Sequence, residues 1–293
     1  MQKGPVTPKG FRDIEPELAK LRRETINKIA GVLEEFDFVP LETPTIEFAD
    51  TLLGKYGEEE KLIYQFEDRG GRDLALRYDL TVPLARFVAN NIGLVQGNSV
   101  FRRYQIGNVF RGENPQSGRY REFTQFDFDI VGSESLEEDA RVAAAAIKAC
   151  RTVGLGNAKL AMNDRKNFEG LAVEDIREID KLYKAGRENI KPELLEFIDN
   201  AEPTENLKKV FSTLENEFGL KENEDFFFDA TLARGLDYYT GTIFELKPEG
   251  KPEDQSGGGG GRYDKLIGMF AGQDIPAVGF SFGIDRLTEL LND

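Results

Sequence analysis

A row of unusual polar side chains occupies every second position of residues 119–130. If this stretch is a β-strand, its side chains alternate between two faces, so the polar residues share one face and the apolar residues the other. The first face carries Arg119, Arg121, Phe123, Gln125, Asp127 and Asp129, in which Phe123 is the one aromatic residue among polar ones. The apolar face carries Phe126, Phe128 and Ile130. Guanidinium groups, a ring, an amide and carboxylates in one row could bind a ligand that is anionic at one end, flat in the middle and cationic at the other. A nucleotide beside an amino acid has this form, and the simpler alternative is a β-hairpin with a charged outer face.

The composition excludes several kinds of chemistry. The 293 residues include no histidine and one cysteine, Cys150, so a Cys/His zinc site and a Ser-His or Cys-His nucleophile cannot be built. Reactivity must come from carboxylates, Arg, Lys, Tyr, a hard cation such as Mg²⁺ or the substrate itself. A net charge of −15 argues against a surface that binds nucleic acid throughout. No apolar run approaches the roughly 18 residues of a membrane span, so we expect a cytoplasmic protein without a membrane partner.

Apolar spacing predicts the elements that must position this polar row. Residues 15–36 and 135–153 are typical of amphipathic helices, and residues 74–91 of a short strand that leads into a helix near Thr81. Residues 39–48 form an extended segment broken by Pro44, which suits a strand edge or an interface between subunits.

The second half of the chain changes character twice. Residues 165–221 are charged and helical, with Gly and Pro between the patches, and strand-like sequence resumes at 225–246. Runs of strands separated from helical blocks predict an α+β fold, with an antiparallel β-sheet flanked by helices. We predict a core in two segments, 1–164 and 223–293, interrupted by a helical insertion at 165–222.

Four separated segments resemble motifs of the class II aminoacyl-tRNA synthetases. FRGENPQSGRYREFTQFDFDIVG (110–132) is similar to their motif 2, and GFSFGIDRL (279–287) to their motif 3. ARGLDYYTGTIFE (233–245) resembles the signature of the histidyl-tRNA synthetases, and LRYDLTVPLAR (76–86) the amino-acid-binding loop of that family in its archaeal and eukaryotic form. The resemblance begins at PKGFRDIEP (8–16) and is loose over the helical insertion. It implies a histidine–tRNA ligase that forms histidyl-adenylate from histidine and ATP with Mg²⁺, and then transfers histidine to tRNA-His.

The resemblance also implies roles at the nucleotide. Three arginines would be catalytic: Arg111 at the α-phosphate and the substrate carboxylate, Arg286 at the γ-phosphate, and Arg234 in place of a metal near the α-phosphate. The complete set for ATP would be Arg111, Glu113, Arg119, Phe123 and Arg286, with Phe123 stacked under adenine.

Structural alternatives exist for each of these residues. Arg111 could form a hairpin salt bridge, Phe123 could belong to the core, and Arg286 could be an ordinary surface arginine. Arg234 could pair with Asp237.

A second group would bind histidine. Three of its members supply a carboxylate, a hydroxyl and an amide, which are three acceptors for the three N–H donors of an α-ammonium group. The others would surround the imidazole, with an acceptor on one side and a hydroxyl on the other. The ammonium set is Asp79, Thr81 and Gln125, and the imidazole set is Asp129, Tyr238, Tyr239 and Tyr263. For the tyrosines, ordinary half-buried strand packing is the alternative.

The remaining expectations concern partners. By resemblance, Asn114 and Gln116 would contact the tRNA acceptor end, and a homodimer would form through the segment around Pro44. The family continues into a C-terminal anticodon-binding domain, whereas this sequence stops at Asp293, so we expect weak tRNA binding by a catalytic core. The alternative function is a catalytically inactive regulatory subunit of ATP phosphoribosyltransferase, a paralogue that also lacks that domain.

A run of five glycines, residues 257–261, allows three interpretations. It could be a flexible linker, a phosphate-binding loop or a backbone wall packed beside the substrate. The patterns of the known phosphate loops are missing from it, and the resemblance favours the backbone wall.

Overall fold

The computed structural model describes residues 6–97, 99–115, 119–234, 238–248 and 256–292 of the chain. Ten α-helices lie within these ranges: α1 (Pro16–Glu35), α2 (Ala49–Leu52), α3 (Thr81–Asn90), α4 (Leu136–Val153), α5 (Val173–Asp180), α6 (Leu182–Ala185), α7 (Pro192–Asn200), α8 (Glu205–Asn216), α9 (Gly268–Ala271) and α10 (Ile284–Asn292). The same ranges contain eleven strands: β1 (Val39–Pro40), β2 (Ile46–Phe48), β3 (Gln65–Glu67), β4 (Asp73–Leu76), β5 (Phe101–Phe110), β6 (Glu122–Val131), β7 (Lys159–Asp164), β8 (Phe226–Phe228), β9 (Thr242–Lys247), β10 (Gly258–Arg262) and β11 (Ala277–Gly283). Short 3₁₀ helices span Gly57–Leu62, Ile92–Val95, Arg165–Phe168 and Arg187–Asn189.

One large sheet organises the molecule. Its order is β1-β5-β6-β11-β10-β9-β7-β8, and a separate three-stranded sheet has the order β2-β4-β3. The interior pairs of the large sheet are antiparallel, whereas the edge strands β1 and β8 run parallel to their neighbours. The predicted α+β class is confirmed. The sheet is mixed because helical segments separate β1 from β5 and β7 from β8 along the chain, and such crossovers permit parallel pairing.

The two faces of the β5–β6 hairpin have opposite chemistry, as the alternation predicted. Phe126, Phe128 and Ile130 are fully buried in the core beneath α1 and α4. Gln125, Asp127 and Asp129 occupy the alternate positions of β6. This alternation places Gln125, Asp127 and Asp129 together on the face away from α1 and α4.

The predicted strand was too long at its start. β6 begins at Glu122, so Arg119 and Arg121 precede it. The guanidinium of Arg121 donates to the Glu113 carbonyl at 2.9 Å, and its backbone N–H donates to the Gly10 carbonyl at 2.8 Å. Arg121 therefore ties the loop between β5 and β6 to the N-terminal segment and does not extend the polar row.

The helices largely follow their local signals. The predicted helix at 15–36 is α1, and Ser135 caps α4 by accepting from the Glu137 N–H at 3.3 Å. Gly154 ends α4 with a φ of +112°, a conformation that favours glycine. Pro83 lies in the first turn of α3, where its missing N–H costs no helical hydrogen bond.

Helices also fill the region predicted as an insertion. α5 and α7 form a core of their own with Phe168, Leu232 and Ile243. α8 instead packs on α4 and buries four apolar residues in the main core: Leu207, Val210, Phe211 and Leu214. The domain boundaries at 164 and 222 stay a prediction. Among the described helices, none is long and apolar enough to cross a bilayer.

Candidate active site

The loop between β4 and α3 fixes the first candidate carboxylate. Asp79 Oδ1 accepts from the backbone N–H groups of Thr81 and Val82, at 3.1 and 3.0 Å, and from the Tyr56 hydroxyl at 3.0 Å. The carboxylate thus satisfies backbone donors that the first turn of α3 leaves open. Burial raises the pKa of Asp79, while the Val82 N–H and Arg111 oppose that rise. Asp79 and Thr81 thus meet in this loop through the Thr81 backbone N–H, and their role at an ammonium group stays a prediction.

Gln125 has one end of its amide held and the other end open. Its Nε2 donates to Ser281 Oγ at 3.0 Å, and the Ser281 hydroxyl donates to Asp127. Gln125 Oε1 is buried and has no hydrogen-bond partner among the described residues. These two hydrogen bonds orient the amide. The Ser281 oxygen must accept from Gln125, because the Ser281 proton is donated to Asp127. A buried acceptor without a donor suits a cationic ligand.

Asp129 is more heavily engaged than the sequence suggested. Its Oδ1 accepts from the Tyr263 hydroxyl, and its Oδ2 lies 2.7 Å from an Arg103 nitrogen. Burial raises the pKa of Asp129, and the charge of Arg103 opposes that rise. The place of Tyr263 in the imidazole pocket stays a prediction, and its hydroxyl is engaged by Asp129.

The aromatic side of the pocket comes from Tyr238 and Tyr239. Their ring centroids lie 4.6 Å apart, and Tyr238 meets Tyr263 edge-on with 6.3 Å between centroids. Burial raises the pKa of Tyr239 to about 12, so its hydroxyl stays protonated and available as a donor at neutral pH. The three tyrosines therefore form one cluster beside Asp129.

Arg111 lies between two rings at the end of β5. Its guanidinium carbon is 4.3 Å from the centroid of Tyr78 and 5.0 Å from that of Phe123, and Nε donates to the Tyr78 carbonyl at 3.2 Å. The hairpin salt bridge considered as an alternative does not appear among the described ion pairs. The stacked position keeps a planar, cationic fork at the rim of the site.

Arg234 pairs with a residue that the sequence did not suggest. Its guanidinium forms an ion pair of 2.5 Å with Glu245 on β9, and Lys247 contacts the other oxygen of that carboxylate at 2.7 Å. The alternative partner, Asp237, lies outside the described residues. The Arg234 side chain is 44% exposed, which leaves part of the guanidinium accessible to a ligand.

Arg286 shows that the site concentrates positive charge. It lies half-buried in the first turn of α10. Burial, followed by repulsion from Arg119 and Arg234, lowers the pKa of Arg286, and Arg111 adds to this effect. The carboxylate of Glu289 opposes this effect. Neighbouring guanidinium groups that repel one another favour an anionic ligand, because opposite charge relieves the repulsion.

The loop between β5 and β6 carries the remaining candidates. Glu113 is only loosely paired, with a carboxylate oxygen 3.8 Å from an Arg119 nitrogen. Asn114 is exposed, and Gln116 lies outside the described residues. Among the described residues, no group of three or more His, Cys, Asp or Glu side chains is arranged to hold a metal ion.

Sequence reasoning missed Asp285, which positions motif 3. Its Oδ1 accepts from Arg22 at 2.7 Å and from Arg12, and its Oδ2 accepts from the Thr124 N–H at 2.8 Å. One carboxylate therefore joins the N-terminal segment, α1, β6 and α10 directly before Arg286. The position of Asp285 beside Arg286 in the sequence was the only local signal for it.

The glycine run is a strand of the sheet, so the linker interpretation is wrong. β10 pairs with both β9 and β11. A Cβ atom at Gly260 would overlap the Gly279 carbonyl, and one at Gly261 would lie 2.6 Å from the Thr242 carbonyl and 3.0 Å from the Tyr239 ring. A Cβ atom at Gly258 would lie 2.6 Å from the Ser281 carbonyl, whereas one at Gly259 would make only a tight contact of 3.1 Å with the Phe244 carbonyl. This close approach explains why so many consecutive glycines occur here.

Comparisons with known proteins agree with this geometry. The profile of a family described as histidyl-tRNA synthetase matches residues 10–221 and 193–287. A histidine–tRNA ligase of Aeropyrum pernix is 43% identical over 97% of this chain and 74% of its own length. One from Korarchaeum cryptofilum is 38% identical over 96% of this chain and 74% of its own length.

Solved structures give the same result. The histidyl-tRNA synthetase of Nostoc sp. PCC 7120 has a TM-score of 0.84 and 30% identity, over 99% of this chain and 76% of that one. A Bacillus halodurans structure is described as an ATP phosphoribosyltransferase regulatory subunit/histidyl-tRNA synthetase. It has a TM-score of 0.79 and 26% identity, over 98% of this chain and 83% of that one.

The fold is therefore that of the class II aminoacyl-tRNA synthetases. Within that class, the chain belongs to the histidyl-tRNA synthetase family. The expected family, fold class and type of enzyme, a histidine–tRNA ligase, are confirmed. The regulatory-subunit alternative is not better supported, because the curated relatives at 43% and 38% identity are named as ligases.

Proposed function

We propose that this chain activates histidine with ATP to form histidyl-adenylate and pyrophosphate, and then transfers histidine to tRNA-His. The observation that carries the proposal is the juxtaposition of two complementary regions on one face of the sheet. Arg111, Arg119, Arg234 and Arg286 supply a polycationic region. Asp79 and the open Gln125 Oε1 supply an anionic, hydrogen-bond-accepting region. ATP fits the first region and an α-ammonium group the second.

The chemistry requires no general base from the protein. The histidine carboxylate is already ionised at neutral pH and attacks the α-phosphate in line, releasing pyrophosphate. Arg111 holds the carboxylate and the α-phosphate together, and Arg234 neutralises the charge that develops on that phosphate. Arg286 holds the γ-phosphate, which orients the leaving group.

ATP is positioned by neighbouring groups of the β5–β6 hairpin. Phe123 stacks against adenine, while Glu113 and Arg119 fix the nucleotide. The loosely paired Glu113 carboxylate would supply an oxygen ligand of the kind that ATP-bound Mg²⁺ prefers. When bound, the cation supplies further charge neutralisation on the phosphates.

Histidine is recognised at both of its ends. Asp79, Thr81 and Gln125 accept the three ammonium protons. Asp129 and the Tyr239 hydroxyl bind the two ring nitrogens, with Tyr238 and Tyr263 as the surrounding aromatic wall. A side chain without both nitrogens would leave a buried polar group unpaired, at a cost of about 1–3 kcal/mol.

The proposals for tRNA, the second subunit and the cellular location rest on the resemblance to the family. Asn114, which is exposed, and Gln116 contact the acceptor end of tRNA. Two chains form a homodimer around Pro44, and the protein acts in the cytoplasm, as the name of an Arabidopsis thaliana relative, histidine–tRNA ligase, cytoplasmic, also states for that protein.

Histidine-dependent exchange of labelled pyrophosphate into ATP tests the proposal. The purified chain should catalyse the exchange with histidine and not with other amino acids, and Arg111→Ala should abolish it because the fork between carboxylate and phosphate is lost. The Arg111→Ala protein also measures the background of contaminating enzymes. Histidine binding without exchange would favour the regulatory-subunit function.

A further inference from the structure

Arg103 is the most deeply buried charge in the region around the site. It lies on β5 directly opposite Asp129 of β6, and its exposure is 0%. One of its terminal nitrogens contacts Asp129 at 2.7 Å and lies 3.4 Å from the Leu80 carbonyl. Its Nε and other terminal nitrogen are buried without a hydrogen-bond partner among the described residues. Burying an arginine so incompletely paired costs several kcal/mol, which makes this residue a candidate for a functional role.

Arg103 belongs to a region with three buried carboxylates. Asp127 and Asp129 follow one another on the same face of β6, and Asp79 is close enough to raise the pKa of both. Without a nearby cation, this cluster would take up protons, because adjacent buried carboxylates do not all ionise at neutral pH. The charge of Arg103 lowers the pKa of Asp127 and of Asp129, which opposes the effect of burial.

The direction of the Asp129 carboxylate is also fixed. A Cβ atom at Gly279 on β11 would overlap Asp129 Oδ1, so the carboxylate lies over the backbone of that glycine. Tyr263 holds the same oxygen. The next strand, β10, carries Gly261 against the Tyr239 ring. The carboxylate is therefore held between Arg103 and the tyrosine cluster.

We propose that Arg103 is a positioning residue that sets specificity for the histidine side chain, by keeping Asp129 ionised and oriented as the acceptor for an imidazole N–H. This inference rests on the proposed function, since Asp129 must face the substrate ring. An ionised carboxylate accepts from a ring N–H, whereas a protonated one would offer a donor in its place. Arg103 acts through Asp129 and does not touch the substrate.

The test compares four variants in pyrophosphate exchange and in calorimetric binding of histidine. Arg103→Met should raise the KM for histidine about 30-fold or more, as expected when one partner of a buried charge pair is removed, and leave the KM for ATP within about twofold. Arg103→Lys should restore most of the affinity, because it returns the charge. Asp129→Asn should raise the histidine KM as well, and Arg103→Met added to Asp129→Asn should raise it no further, because both act on one interaction.

Arg102→Met is the matched control. Arg102 neighbours Arg103 on β5 but pairs with Glu138 of α4 on the other side of the sheet, so its loss should leave the histidine KM unchanged. If Arg103→Met does not fold, the comparison of Asp129→Asn with the double variant decides the question.

Several results would overturn the inference. An unchanged histidine KM in Arg103→Met, equal losses for histidine and ATP, or additive effects of the two substitutions would each show that Arg103 is merely structural. The proposed function fails separately if the wild-type chain shows no exchange. In that case Arg103-dependent histidine binding by calorimetry would still support the inference, and absence of histidine binding would overturn it as well.

Discussion

Arg234 illustrates at the residue scale how one side chain can serve both fold and chemistry. It is tied to the buried Glu245 and yet keeps an exposed portion. We expect Arg234→Ala to lower kcat at least about 100-fold and to change the KM for histidine only a few-fold, because charge stabilisation acts mainly in the transition state. Pyrophosphate exchange at varied histidine and ATP concentrations separates the two constants.

Lys247→Met provides the control for Arg234. Lys247 also pairs with Glu245, so its loss disturbs the same carboxylate without removing the guanidinium. A similar loss of rate in both variants, or a rate preserved in Arg234→Ala, would mean that Arg234 is a structural partner of Glu245.

Asp127 should make folding stability depend on pH in a defined window. Burial raises its pKa to about 7, above the value of about 3.9 in an unfolded chain. Between these values the folded protein holds a proton that the unfolded chain releases, so this group's contribution to the free energy of unfolding decreases as pH rises from about 4 to about 7. Asp127→Asn removes that contribution, and the stability of the variant relative to wild type should therefore increase across this range.

Urea unfolding of both proteins from pH 5 to pH 8 measures this difference. Asp68→Asn is the control, because Asp68 is bound by Arg72 and its pKa is lowered to about 2, below the measured range. For that variant the difference from wild type should not vary with pH. A pH-independent difference for Asp127→Asn would contradict the assignment of the raised pKa to this carboxyl group.

At the scale of elements, strand β10 depends on the absence of side chains. Gly260→Ala should reduce the free energy of unfolding by about 3 kcal/mol or more, because a methyl group would overlap the backbone of β11, which cannot shift without disturbing Asp129. Gly31→Ala is the matched substitution at an exposed position of α1, where a Cβ atom meets nothing within 4 Å. It should stabilise the chain by up to about 1 kcal/mol. Urea unfolding measures the change in the free energy of unfolding for both variants. Equal changes would mean that β10 can move away from β11 to accommodate a Cβ atom.

At the scale of the whole molecule, an apolar face of the small sheet suggests self-association. Ile46 and Phe48 of β2 are 45% and 57% exposed, and Phe66 of β3 is exposed on the same face, because Phe48 and Phe66 both pair with Leu74 of β4. We expect a two-fold dimer through this face and the Pro44 segment, because a large exposed apolar patch is unusual for a monomer. Light scattering at micromolar concentration should give twice the mass of the chain for the wild type and the mass of one chain for Phe48→Glu.

Val173→Glu supplies the comparison for that substitution. Val173 is 50% exposed at the start of α5, away from the small sheet, so an added charge there should leave the dimer intact. A wild-type chain that scatters as a monomer would rule out the proposed interface.

Local patterns in the sequence determined much of this protein. Alternation on β6 separated Gln125, Asp127 and Asp129 from the core phenylalanines, since the period of a strand depends only on neighbouring residues. Helices α1, α3 and α4 followed from apolar spacing for the same reason. The resemblance of four motifs identified the family, because the residue types of each motif and the order of the motifs can both be read directly from the sequence.

Only the tertiary structure decided which partners these residues have. Arg103 of β5 contacts Asp129 of the adjacent strand β6, and Arg234 pairs with Glu245 and not with a near neighbour in the sequence. Asp285 joins segments more than 260 residues apart along the chain. Nothing in the local sequence specifies such pairs, because strand order and register bring them together. The glycine run shows the same limit: its composition allowed a linker, and only the approach of β9 and β11 from both sides made it a strand without side chains.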